Sequence, residues 1–428
     1  MVAAVAAVVM MTRRRAARSE RWRPPGSPTP TADPAATTPE GRAAFAALAE
    51  VAARRQVPGR PVRYDADGFR LLIGDDGALV CNLVNLHRDW RDADPEARPE
   101  VLRRFFASME APGTKRATLA EVRDRLLPAA RGTALQAHIT RGRPPGDAGF
   151  VLCATPLGDH LAVYLVVDSP DAVSFVNTDD LARWGLTEAE ALAIAVANLR
   201  SRELDAPVEL VPGCLLWHSD DAWAGGFVML TDVLRALPVR GDPVVMIANP
   251  TTLLVAGADD DDALLALAAA AERALDVSRP ISGLVLRLRG GGWEPFLPRP
   301  GSPAYAPLHA LALDELAALY ADDKQARDAA GDEDVFVASL MVATRKADGA
   351  QRSIAVWPRD TPTLLPEAEF VALVDGEGPS AMIGEVAWDA LRADFGAAMV
   401  REPGYPPRWR VSGWLTPAQL LALGVEAN

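Results

Sequence analysis

The order of the apolar runs constrains this chain more than any motif does. Short strand-like runs such as Phe69–Ile73, Leu161–Val167, Val244–Ile247 and Thr252–Val255 are interleaved with helical patterns, without a steady strand–helix–strand rhythm. Parallel sheets need a crossover helix between successive strands, so this irregular order predicts α+β over a doubly wound fold: mixed, largely antiparallel sheets with packed helices. Asp76-Gly77 suits a hairpin between Phe69–Ile73 and Ala78–Asn82, and Asn249-Pro250 lies between the later pair of runs. Helices are predicted over 42–55, around Val101–Phe106, and over 187–200, 222–237, 261–275, 311–320 and 386–400. Thr118-x-x-Glu121 and Thr187-x-x-Glu190 are capping boxes, the first opening a short helix that ends at Leu126-Leu127-Pro128. Thr416-Pro417 opens the last helix.

Composition shifts set the divisions. Residues 1–41 read as a disordered tail, because six prolines fall between Arg21 and Glu40 among Ser, Thr and Ala. Its apolar start, Met1–Met11, is shorter than the roughly 20 residues of a membrane span. Its arginines follow the apolar run, whereas a signal peptide carries them before it. Residues 42–294 form an α+β region, 295–331 a Pro-rich connector with a helix, and 332–428 a smaller C-terminal α+β domain. Up to Arg42, seven arginines against three acids leave +4, and the remainder carries −17 of the total −13. That acidic body excludes a nucleic-acid binder, which must neutralise phosphates.

Few groups are available for chemistry. Cys81, Cys153 and Cys214 form no C-x-x-C and sit in apolar runs, which fits buried thiols in a reducing, cytoplasmic setting. The five histidines include no pair at metal-binding spacing, so no metal is expected. Gly290-Gly291-Gly292 lacks the Lys-Ser/Thr of a phosphate loop, G-x-G-x-x-G is absent, and no cofactor is implied. Asp259–Asp262 directly precedes a helix, where acids suit the positive dipole end better than a calcium loop. Asp159 and Asp168 flank the Leu161–Val167 run, where turn acids beside an apolar strand are expected to be solvated in preference to forming a paired-carboxylate site.

The segment Trp217-His218-Ser219-Asp220-Asp221 holds the residue types of a hydrolase triad, but neighbours in a strand point apart and there is no G-x-S-x-G. Asp220 or Asp221 suits a cap for the helix from Ala222. Trp217, His218, Asp220 and Asp221 are the binding candidates, and no residue is assigned a catalytic role. Trp357, Trp388, Trp409 and Trp414 concentrate in the last 72 residues, and Trp is enriched at binding hot spots. A non-catalytic protein-binding or regulatory module is the expectation. The alternative is a hydrolase or transferase near His218 and Asp220.

One ordered series extends these readings: LIGDDGALVCNLVNLHRDW, EVRDRLLP, LAVYLVVDSPDAVSFVNTDDLARWGLTEAEALAIAVANL and VLRALPVRGDPVVMIANPTTLLV. Over about residues 69–291 the chain resembles the YtpQ-like family of uncharacterised bacterial proteins, although Trp223–Gly226 departs from that family's small-residue helix start. The resemblance implies fold boundaries and a cytoplasmic bacterial setting, and it transfers no catalytic residue.

Overall fold

A computed structural model of the protein describes residues 38–74, 79–107, 117–136, 151–169, 173–202, 205–219, 221–277, 279–331, 335–345, 349–376 and 382–425. Within them the fold is α+β with mostly antiparallel sheets. Residues 1–37 of the expected tail lie outside this set. Ordered structure starts slightly earlier than the sequence suggested. Thr38 accepts from the Gly41 amide at 3.1 Å, Pro39 occupies the first helical turn, and the helix runs Pro39–Gln56. Its Phe45, Ala49 and Ala53 face a three-stranded sheet of β1 (Val62–Asp65), β2 (Arg70–Ile73) and β3 (Leu79–Asn82). Leu71 and Ile73 alternate inward, so a one-residue slip would turn both outward.

The centre of the molecule holds two sheets. In the first, β6 (Leu161–Asp168) is flanked by β4 (Leu126–Gly132) on one side, and by β5 (Ala154–Leu157) and β7 (Val173–Phe175) on the other. The second comprises β8 (Val208–Val211), β9 (Cys214–His218), β10 (Pro243–Asn249), β11 (Thr252–Gly257), β12 (Val285–Arg289) and β13 (Gly292–Pro295). Its order is β13-β12-β10-β11-β9-β8, antiparallel throughout. Both of its faces are buried. Val245, Ile247, Leu253 and Val255 meet Leu127, Val163 and Val166 of the first sheet. Val244, Met246, Leu254 and Ala256 meet Leu264, Leu267 and Ala271 of the helix Asp261–Leu275. Burying a Val, Leu or Ile side chain contributes about 1.5–3 kcal/mol, which explains why these strands read as unbroken apolar runs.

Gly257 closes β11 against the Arg240 backbone. A Cβ there would lie 2.1 Å from the Arg240 carbonyl oxygen and 2.5 Å from its nitrogen. Backbone cannot rotate away as a flexible side chain can. Gly257→Ala is therefore expected to cost about 1–3 kcal/mol, read as a lowered melting temperature; an unchanged melting curve would contradict the close approach.

The last unit contains two four-stranded sheets. Their strands are β14 (Phe336–Val337), β15 (Met341–Thr344), β16 (Gln351–Pro358), β17 (Thr363–Pro366), β18 (Phe370–Val374), β19 (Met382–Ala387), β20 (Met399–Arg401) and β21 (Arg408–Val411). The orders are β15-β16-β18-β19 and β14-β17-β21-β20, with parallel pairs at β16–β18 and β14–β17. Ala355, Trp357, Leu365, Val371, Leu373 and Val411 share their core with Tyr320 of the preceding helix.

Three expected helices take other forms. The one expected over 222–237 is a 3-10 turn at Ala224–Met229 followed by the helix Thr231–Arg235. Ala222 adopts φ 68°, and a Cβ on Gly226 would lie 2.6 Å from the Pro128 carbonyl, so the chain here is shaped by contact with β4. The helix expected over 311–320 runs Tyr305–Ala330. Its polar end is sustained by Lys324–Asp328 at 3.1 Å and Arg327–Asp323 at 3.1 Å. The helix expected over 386–400 is confined to Trp388–Phe395, because β19 pairs with β18 up to Ala387 and β20 with β21 from Met399. No described helix is long and apolar enough to cross a membrane.

Candidate functional site

The segment Trp217–Asp221 lies where β9 leaves its sheet. Alternation along the strand sends Trp217 inward, where it is 4% exposed. Its indole Nε1 donates to the Asp205 carbonyl at 2.6 Å, and its ring lies 5.0 Å from Phe227. Trp217 is thus a core residue and offers no face to a partner. His218 is partly exposed and stands opposite Thr252 of β11. Asp220 lies outside the described residues.

Ser219 and Asp221 belong to a polar cluster that local sequence did not announce. The Ser219 hydroxyl donates to Asp221 Oδ1 and accepts from the Trp223 amide at 3.4 Å. Asp221 Oδ2 accepts from Arg202 Nη1 at 2.5 Å, and Arg202 Nη2 donates to Asp168 Oδ2 at 3.1 Å. The guanidinium stands 5.8 Å from the Trp223 ring. Arg202 follows the helix Glu188–Arg200, Asp168 ends β6 and Asp221 follows β9, so one cation ties the ends of the two central sheets. Asp168 is 5% exposed, and a buried carboxylate needs such pairing. The expected helix cap at Asp221 is not found, since the turn at Ala224 has no side-chain cap and Asp221 is held by Arg202. Asp159 lies in the turn before β6 and Asp168 at the far end of the strand, which spans about 23 Å from Leu161 to Asp168 at a strand's rise, so the two form no carboxylate pair.

The remaining candidates separate into different cores. Burial pushes each thiol, Cys81, Cys153 and Cys214, up to about 12, and the three fall in three different apolar clusters. Thiols so placed stay protonated and unreactive near neutrality. His87 packs between Phe45, at 4.6 Å, and Trp90, at 6.4 Å, where burial lowers its pKa. His309 Nε2 meets Glu369 at 3.2 Å and stacks on Tyr305 at 5.2 Å. His138 lies outside the described residues. Asp260 caps the helix Asp261–Leu275, accepting from Ala263 N at 3.2 Å while Arg240 binds it at 2.7 Å. Among the described residues, no group of His, Cys, Asp or Glu is placed to hold a metal ion.

The last unit divides its tryptophans. Trp357 is fully buried against Phe395 and Trp414. Trp388 and Trp409 are half-buried and meet edge-on, with ring centroids 6.4 Å apart. The Arg392 guanidinium lies 3.5 Å from the Trp409 ring centre, and Trp409 Nε1 donates to Glu367 at 2.7 Å. No family model, no curated protein and no solved structure matches this chain.

Proposed function

We propose that the protein is a non-catalytic module that binds another protein, working in a bacterial cytoplasm. The observation that carries this reading is the Trp388–Trp409 pair with its two charged holders. Trp and Arg dominate binding hot spots because each offers a large rigid area that loses little freedom on contact. Arg392 above and Glu367 at the indole nitrogen fix the Trp409 ring in advance, so less ordering is lost on association. The net charge of −13 turns the partner class away from nucleic acid. Three buried thiols suit a reducing compartment. Residues 69–291 are proposed as YtpQ-like on the ordered series of segments quoted above.

The experiment is recovery of a partner from the native cell with the tagged full chain. Wild type is expected to bring down a stoichiometric protein, and Trp388→Ala with Arg392→Ala to lose it. A blank with wild type at several bait levels, or recovery indifferent to the double substitution, overturns the reading. The alternative, a hydrolase or transferase at His218 and Asp220, requires His218→Ala to abolish a turnover while leaving the melting temperature intact.

A further inference from the structure

The last unit reaches back to the centre of the molecule through a loop and through the long helix. His160, in the turn before β6, places Nδ1 2.5 Å from the phenol oxygen of Tyr405, with the rings 5.6 Å apart. Two residues on, the Pro407 carbonyl accepts from the Tyr320 hydroxyl at 2.8 Å. Tyr320 lies on the Tyr305–Ala330 helix, whose first turns pack with the six-stranded sheet through Leu308 and Leu311. His309 of that helix is paired with Glu369 of the last unit. The helix is a shared beam, and His160–Tyr405 closes directly from the first central sheet onto the approach to β21.

We propose that the His160–Tyr405 contact is a pH-operated latch that holds the last unit against the body near neutrality and loosens it in mild acid. The neutral imidazole accepts from the phenol at Nδ1 or donates to it according to its tautomer, whereas a protonated one must carry its charge into an enclosed contact. The groups facing His160 are Asp159 from its own turn, and Tyr405 and Glu367 from the last unit. Those facing Tyr405 are Glu315 and Tyr320 from the long helix and Asp159. Burial lowers the imidazole pKa, against the smaller opposing pull of Asp159 and Glu367. Burial raises the Tyr405 phenol, which stays protonated throughout.

The closed state therefore favours neutral His160. Below the ordinary imidazole value of about 6.5 the open state takes up a proton that the closed state resists, so closure weakens by up to about tenfold per pH unit. Glu369, the partner of His309, is held below the usual carboxylate range: burial raises it, and its His309 and Ser353 hydrogen bonds lower it further.

The test is hydrogen exchange of the full chain at pH 7.0 and 5.5, corrected for intrinsic exchange rates and read over residues 399–411. On going to the lower pH, protection in wild type is expected to fall about tenfold relative to that in His160→Gln, which cannot take the proton. Glu315 titrates alike in both proteins and cancels from the comparison. An equal change in the two overturns the proposal. Tyr405→Phe keeps the ring and removes the hydrogen bond; it should lose about fivefold in protection already at pH 7.0. Unchanged protection in that variant also overturns the proposal.

Discussion

Asp323→Ala is expected to destabilise the last unit by about 3–5 kcal/mol, because it strands a buried guanidinium. Arg408 has no exposed side-chain surface. Its Nε donates to Asp323 at 2.5 Å, Nη1 donates to the Ala338 and Leu364 carbonyls at 2.7 and 3.2 Å, and Nη2 donates to the Tyr320 carbonyl at 3.2 Å. Its cation also stands 5.1 Å from the Tyr320 ring. Those bonds join the long helix, β17 and the segment after β14, so the cost should be concentrated there. Urea unfolding, followed by amide exchange of the long helix and β17, measures it. Asp323→Asn keeps an acceptor and should cost clearly less. A loss below about 1 kcal/mol in Asp323→Ala would show that water reaches the guanidinium.

The second large effect is a stability that falls as pH rises. Glu315 accepts from the Ser282 hydroxyl at 2.8 Å and the Gly283 amide at 2.6 Å. Its carboxyl is enclosed by protein although the side chain keeps some accessible surface, and burial outweighs those hydrogen bonds, raising its pKa to about 7. The folded state thus prefers the neutral acid, while the unfolded chain ionises near its ordinary value of about 4.3. The stabilising preference is fully present below that value, is lost as pH rises through about 7, and changes no further above it. At 1.36 kcal/mol per unit the span amounts to about 4 kcal/mol. Unfolding free energies at pH 4.5, 6 and 8 should show the decline, and Glu315→Gln should flatten it. A wild type whose stability is level over this range would contradict the burial of the carboxyl.

Much of the fold was legible because its signals are local. Thr187 and Glu190 lie three residues apart, and the box they form opens the helix Glu188–Arg200 as expected. The hairpin of β10 and β11 follows from two apolar runs bounded by Asn249. The helix from Asp261 follows from the acids that precede it. The misread elements depend on partners far along the chain. Helix continues past Tyr320 as a polar stretch whose Asp323 is fixed by Arg408, 85 residues away. The Val386–Val400 pattern is split by pairing with β18 and β21.

The candidate site was less legible for the same reason. Arg202 is 34 residues from Asp168 and 19 from Asp221, and no spacing rule joins them. Trp217 was readable as a strand residue, yet which face of β9 met the deeper core depended on how the two central sheets pack. Neither the His160–Tyr405 contact, across 245 residues, nor the placement of Trp388 beside Trp409 leaves a trace in local pattern.

The most direct test of a binding role is the affinity of the full chain for the partner it recovers, measured by calorimetry for wild type, Trp388→Ala and His218→Ala. A hot-spot tryptophan is worth at least about 2 kcal/mol, so Trp388→Ala should weaken binding by about 30-fold or more, with His218→Ala within twofold of wild type. Binding that survives Trp388→Ala unchanged and collapses with His218→Ala would place the working surface at the end of β9 and contradict this account.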